Sequence, residues 1–128
     1  MEVEWISIHK LLEHEETDSK EVNRLSRVLK NNKLTPIVVT KISSRDKYVI
    51  LDGHHRFNAL KTNSADFVPC IVVDYADVEL GHWRKEYDTV TKKDVIRSAL
   101  AGKKFPKKTT KHTFKFNQED YNLNIKGH

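Results

Sequence analysis

Residues 51–60, LDGHHRFNAL, place an acid, a glycine, two histidines and an arginine at consecutive positions 52–56. That set suits an anionic ligand. Gly53 lacks a Cβ, so the backbone can turn sharply there and let a ligand approach the main chain. A helix starting just beyond it offers free amide hydrogens and a partial positive charge, which together bind anions. His54, His55 and Arg56 add donors at the same end, and a guanidinium can hold two phosphate oxygens at once. Asp52 belongs in an anion site only if a cation accompanies the anion, and a magnesium ion bridging phosphate oxygens would be that cation. The chemistry is capture of a metal-bound polyphosphate. Against it stands an ordinary turn whose polar residues happen to cluster. Zinc is a weaker alternative, because adjacent histidines diverge on a helix and no Cys or His partner stands at a useful spacing nearby.

Such a loop needs a strand to deliver it and a helix to receive the anion. KYVIL at 47–51 reads as the strand, paired through the polar turn SSRD with the β-branched run IVVTKI that follows Pro36. Residues 54–62 read as the helix, with Phe57 and Leu60 facing inward. Upstream, WISIHKLL begins as a short strand, and LLEHEETDSKE, with five acids, reads as a polar loop. A helix then follows: Asp18 and Glu21 form a capping-box-like start, Val22, Leu25, Val28 and Leu29 recur at helical spacing, and Asn31 and Asn32 end it. Downstream, FVPCIVVDY predicts a buried strand. TKKDVIRSAL predicts a helix capped by Thr91 with Asp94 and closed by Gly102, and HTFKF predicts a last strand. Short strands and helices interleave, which indicates an α+β domain rather than a bundle or sandwich.

The bulk numbers agree. The chain has 128 residues, 38% hydrophobic and 32% charged, enough for one domain with a modest core. No apolar run approaches the roughly 20 residues of a membrane span, and MEVEWISIHK is acidic where a signal peptide is basic, so a soluble cytoplasmic protein with no membrane partner is expected. Cys70 is the single cysteine, in keeping with a reducing compartment, and reads as a small buried hydrophobe. Net charge is +5, and KKFPKKTTKHTFK at 103–115 holds six lysines and no acid. The excess suits nucleic acid or a nucleotide's phosphates equally.

DGHHR between a strand and a helix resembles the ParB/sulfiredoxin-like fold, in which this loop holds nucleotide phosphates. Within that superfamily the chain is most similar to the free L-serine kinases. HEE at 14–16 stands before the first long helix as their catalytic glutamate does, and VPCIVVDY followed by Trp83 resembles the strand and tryptophan after their nucleotide loop. PKKTTKH at 106–112, with FN at 116–117, resembles their C-terminal Pro-Lys-Thr-Thr-Arg-His signature. The likeness runs from about residue 5 to residue 120 in the same order. Two departures stand out. The kinases carry a large insertion between the tryptophan and the Thr-Thr segment, and Lys111 replaces their arginine, turning a bidentate contact into a single-point one. The cousins fit less well: sulfiredoxins need a cysteine where His54 stands, and ParB partition proteins have a Gly-Glu-Arg-Arg pattern plus further domains.

The resemblance implies a kinase domain over 1–120, a tail at 121–128, and transfer of phosphate from ADP or ATP to L-serine with Mg2+. Glu15 would be the base, and Asp52 would position magnesium or the reacting groups. Gly53, His54, His55 and Arg56 would bind nucleotide phosphates. Thr109, Thr110, Lys111 and His112 would engage the serine carboxylate or the transferred phosphoryl group, and Trp83 would wall the serine pocket. The product would serve cysteine or other serine-derived synthesis. His9, His14 and His82 read as structural or surface residues. The alternative is a nucleotide-responsive ParB-like module binding DNA or protein, supported by the basic run; without a recognisable groove-reading helix, nucleic acid is not the expected partner. A nuclease is a third reading, lacking clustered carboxylates near Asp52. Oligomeric state and the choice between ADP and ATP are not legible at this level.

Overall fold

The computed structural model describes residues 2–29 and 33–124. In chain order the strands are β1 (Val3–Ser7), β2 (Leu11–Leu12), β3 (Lys33–Leu34), β4 (Ile37–Lys41), β5 (Tyr48–Asp52), β6 (Phe67–Val73), β7 (Glu79–His82), β8 (Thr110–Thr113) and β9 (Leu123–Asn124). The α-helices are α1 (Ser19–Val28), α2 (His54–Thr62) and α3 (Lys92–Ala101), with short 3-10 turns between several elements.

Five strands form one mixed sheet in the order β1-β6-β4-β5-β2. β4 runs antiparallel to β5 and parallel to β6, while β1 and β6 are antiparallel. Side chains alternate across a strand, so the two faces of β5 serve two cores. Ile50 joins Ile37, Val39, Val68 and Cys70 on the face covered by Phe57 and Leu60 of α2. Val49 and Leu51 point the other way, against Val95 and Ala99 of α3 and Val78. Helices on both faces hold β5 rigid, and β5 ends at Asp52. Burial pushes the Cys70 thiol up to about 12, in keeping with an inert packing residue.

Beside the main sheet lie two strand pairs. β7 pairs antiparallel with β8, matching His82 to Thr110, and β3 pairs antiparallel with β9. Within the segment 121–128, taken as a tail from sequence, Leu123–Asn124 form a strand. The strand expected in HTFKF begins earlier, at Thr110–Thr113, and is followed by β9; Phe114 and Phe116 stack on each other with centroids 5.5 Å apart beyond the end of β8. The alternating aromatics mimic a strand while serving a small stack.

Helix α3 has the expected capping box between Thr91 and Asp94 and ends at Gly102 in the left-handed region. Helix α1 is capped differently. Asp18 accepts from the Lys20 amide, and Glu21 turns to Arg24 in a pair of 2.6 Å, so no reciprocal box forms. The ending at Asn31 and Asn32 lies outside the described residues.

Candidate active site

A cavity of about 350 Å³ opens where the C-terminal end of β5, the start of α2, the loop at 15–16 and β8 meet. Its rim and walls include Glu15, Asp52, Gly53, His54, His55, Trp83, Thr110, Lys111 and His112. All but two of the residues singled out in the sequence thus come together. The exceptions are Arg56 and Thr109. The Thr109 side chain is fully buried, and its hydroxyl donates to the Pro106 carbonyl at 2.6 Å, which makes it a turn residue. Arg56 stands behind Asp52, donating to Asp52 at 3.3 Å and to Gln118 at 2.9 Å.

Gly53 is the N-cap of α2 with φ 106°, a conformation that side chains with a Cβ rarely adopt. Space demands glycine as well: a Cβ there would lie 2.4 Å from Ile37 Cγ2. The first turn of α2 therefore begins directly at the end of β5, and its unpaired amides belong to the cavity wall. The two histidine rings fasten this turn to the acidic loop. His54 Nε2 accepts from the His14 amide at 3.2 Å, and His55 Nε2 accepts from the Asp18 amide at 3.1 Å. Burial, followed by the neighbouring His14, holds the His54 imidazole well below its ordinary range, so it is neutral at working pH.

Glu15 is 9% exposed, and its carboxylate is gripped by the far end of the chain. Oε1 accepts from the Lys108 amide at 3.0 Å; Oε2 accepts from the Thr110 amide at 2.9 Å and from the Thr110 hydroxyl. Lys108 has φ 58°, a bend costing about 1 kcal/mol for a residue with a Cβ, and that bend aims both amides at one carboxylate. Backbone bonds clasp the acid from either side: Phe105 N donates to His14 O and Glu16 N to Phe105 O, each at 2.8 Å. Burial pushes the Glu15 carboxyl up, but the bonds from His14 and Thr110 outweigh it and bring the group down to about 2.

That depressed value fixes a sign. An acid stronger in the folded than in the unfolded chain stabilises the fold above its unfolded value, near 4.5, and the gain is lost as pH falls toward about 2. Between about pH 5 and pH 3 the wild type should lose roughly 2 kcal/mol more stability than Glu15→Gln. Urea midpoints at the two pH values measure it, and equal losses in the two proteins would remove the carboxylate from the balance.

On the remaining wall, His112 lies 2.7 Å from the Tyr75 hydroxyl. Burial raises the phenol, so Tyr75 donates and His112 Nε2 accepts. Burial and then His14 lower His112 to about 4, leaving a neutral ring. Lys111 Nζ sits 4.6 Å from the centre of the Trp83 ring, which is otherwise 59% exposed. Sequence reasoning missed three residues. His14, left as structural or surface, is fully buried beside Glu15; Gln118 donates to Asp52 at 2.9 Å and bridges it to Arg56; Lys108 supplies an amide. Their long-range hydrogen bonds span 36 residues or more of chain, so no local pattern announces them.

Among the described residues, no group of three or more His, Cys, Asp or Glu side chains is placed to hold a metal ion, and no helix is long and apolar enough to cross a membrane. Of the cavity's carboxylates, Asp52 is the one directly beside the glycine turn. A single carboxylate fits magnesium that arrives on a nucleotide, since that ion keeps most of its waters and takes one or two protein ligands.

The family model for the ParB N-terminal domain matches residues 2–82. The ATP-dependent L-serine kinase of Desulfurococcus mucosus is 42% identical over 82 residues, which are 61% of this chain and 32% of that protein. The ATP-dependent L-serine kinase of Staphylothermus marinus is 39% identical over 82 residues, with the same coverage. This chain therefore spans about a third of the length of the curated relatives it matches. Among solved structures, a free serine kinase in complex with AMP superposes with a TM-score of 0.85 at 17% identity, covering 98% of this chain and 92% of that one. At that identity the likeness is one of fold.

Proposed function

The chain belongs to the ParB N-terminal domain family, and we propose that within it this protein is a small-molecule kinase that phosphorylates free L-serine to O-phospho-L-serine. The observation that carries the reading is the position of Glu15. A buried carboxylate, held ionised by two backbone amides, lines the same cavity as the anion-type turn at Gly53. Relatives that are L-serine kinases support that substrate; the two at 42% and 39% identity are ATP-dependent and support ATP as donor, whereas the one of Thermococcus kodakarensis, at 29%, is ADP-dependent.

In this reading the amides at the start of α2 hold the nucleotide's phosphates, with Asp52 beside them. Asp52 would hold a magnesium ion carried by the nucleotide, whose chemistry is to neutralise phosphate charge. Gln118 and Arg56 orient Asp52 from behind. The serine hydroxyl lies against Glu15, which accepts its proton late in transfer, when a weak base is adequate. Lys111 and the Thr110–His112 strand meet the serine carboxylate, and Trp83 walls the pocket. Within the basic run, Lys104 pairs with Glu13 at 3.0 Å and Lys107 with Asp18 at 3.3 Å, contacts that serve the loop around Glu15.

Incubation with L-serine, magnesium and either ATP or ADP should give phosphoserine by mass spectrometry, faster with ATP. Nucleotide that binds by calorimetry yet yields no product with either donor would overturn the assignment.

A further inference from the structure

His14 is fully buried, and its ring bonds form a row that can be counted hydrogen by hydrogen. Nδ1 lies 2.8 Å from the Ile50 carbonyl, which only accepts, so Nδ1 carries a hydrogen. Nε2 lies 3.0 Å from Thr110 Oγ1, and that oxygen is bonded in turn to Glu15 Oε2. Three successive contacts need three hydrogens. The threonine hydroxyl brings one, a neutral imidazole brings one, and a carboxylate brings none. The row closes only with one hydrogen more than the separate groups hold.

That hydrogen can reside on Nε2, giving an imidazolium opposite a carboxylate, or on Glu15. The two forms interconvert when two hydrogens each move one position through the Thr110 hydroxyl. The amides of Lys108 and Thr110 favour the carboxylate and so place the extra hydrogen on His14. The other titratable groups facing His14 are His54 on α2, with centroids 4.6 Å apart, and His112 on β8, at 5.6 Å. Both are neutral for the reason already given, and among the described residues Glu15, 3.6 Å from Nε2, is the one carboxylate paired with the ring.

We propose that His14 is the far end of a proton relay that begins at Glu15, so that the proton leaving the acceptor hydroxyl comes to rest on the imidazole. This rests on the kinase reading for its substrate. The serine O–H bond breaks as the new O–P bond forms, with the oxygen keeping the electron pair, and the nucleotide's leaving oxygen takes the pair of the broken P–O bond. The form that turns over is the one that has lost the extra hydrogen to solvent, so that Nε2 is bare. The Glu15 carboxylate takes the hydrogen from serine and passes it to Thr110 Oγ1, whose own hydrogen goes to His14 Nε2. His14 then returns it to solvent before the next turnover. His14 touches no substrate; it is a positioning and proton-holding residue.

Two measurements decide it. In nucleotide-free protein labelled with ¹⁵N-histidine, at about pH 6, His14 should have both ring nitrogens protonated, and Glu15→Gln should leave only Nδ1 protonated, because the glutamine amide then completes the row. A singly protonated His14 in the wild type, unchanged by Glu15→Gln, overturns the relay whether or not the protein is a kinase. In turnover, the wild-type rate should rise with pH across about pH 5–8. Thr110→Val, which keeps the shape and removes the hydroxyl, should flatten that rise and lower kcat about 10²-fold. A rise that persists in Thr110→Val also overturns it. His14→Gln should match the valine variant if it folds. Loss of phosphoserine with both donors would sink the kinase reading alone, since the spectroscopic arm needs no turnover.

Discussion

Glu15→Gln is expected to lower phosphoserine formation by about 10²–10⁴-fold while nucleotide affinity stays within about twofold. The substitution keeps the shape but removes the proton acceptor. It also disturbs the clasp, because a carboxamide has one oxygen for the Lys108 and Thr110 amides where the carboxylate has two. A stability loss of about 1–3 kcal/mol should accompany it, so turnover must be compared well below the melting temperature of both proteins. Turnover within tenfold of wild type would take the base role from Glu15 and point to one of the two other acids of the cavity, Glu16 or Asp52.

Gly53→Ala attacks the opposite wall and should do so through the backbone. At φ 106° a residue with a Cβ is strained by about 1–2 kcal/mol. The added methyl would also lie 2.4 Å from Ile37 Cγ2 and 3.0 Å from Arg56 Nη2. Ile37 is 1% exposed on the central strand β4 and has no room to retreat, which adds about 1–3 kcal/mol of overpacking. The total, about 2–5 kcal/mol, is a large part of a small domain's stability. Thermal unfolding and nucleotide titration together check it. Any relief of the clash must tilt the first turn of α2, so the folded fraction should bind nucleotide at least tenfold more weakly. An alanine variant with wild-type melting and affinity would mean that the turn does not hold the phosphates.

These two sites differ in how legible they were. The strand, glycine and helix at 48–62 are contiguous, and each is fixed by local chemistry: β-branched residues, a missing Cβ, then helical spacing of Phe57 and Leu60. Sequence reasoning located them to within a residue. The Glu15 clasp is assembled from residues 93 and 95 positions apart, and its donors are main-chain amides, which every residue has. Similarity to a known signature marked the segment; nothing in its composition could say that Lys108 bends or that Thr109 turns inward. His14, read as a structural or surface residue, is the former: it sits in the polar run Glu13, Glu15, Glu16 and Thr17, but folding packs its ring against β5, α2 and β8. Gln118 escaped for the same reason, since an amide near the end of the chain has no periodicity to betray a bond to Asp52.

The clasp also has a consequence for biosynthesis. The ribosome releases the N-terminal segment first, so Glu15 emerges long before the amides at 108 and 110 that hydrogen-bond its carboxylate. A nascent chain that has reached α3 can assemble the five-stranded sheet while this acid still faces water. The bridge from Glu15 to Phe105 and the bonds to the amides beyond it can form only once that later segment has emerged, so the glycine turn after β5 can be shaped before the clasp on Glu15 exists.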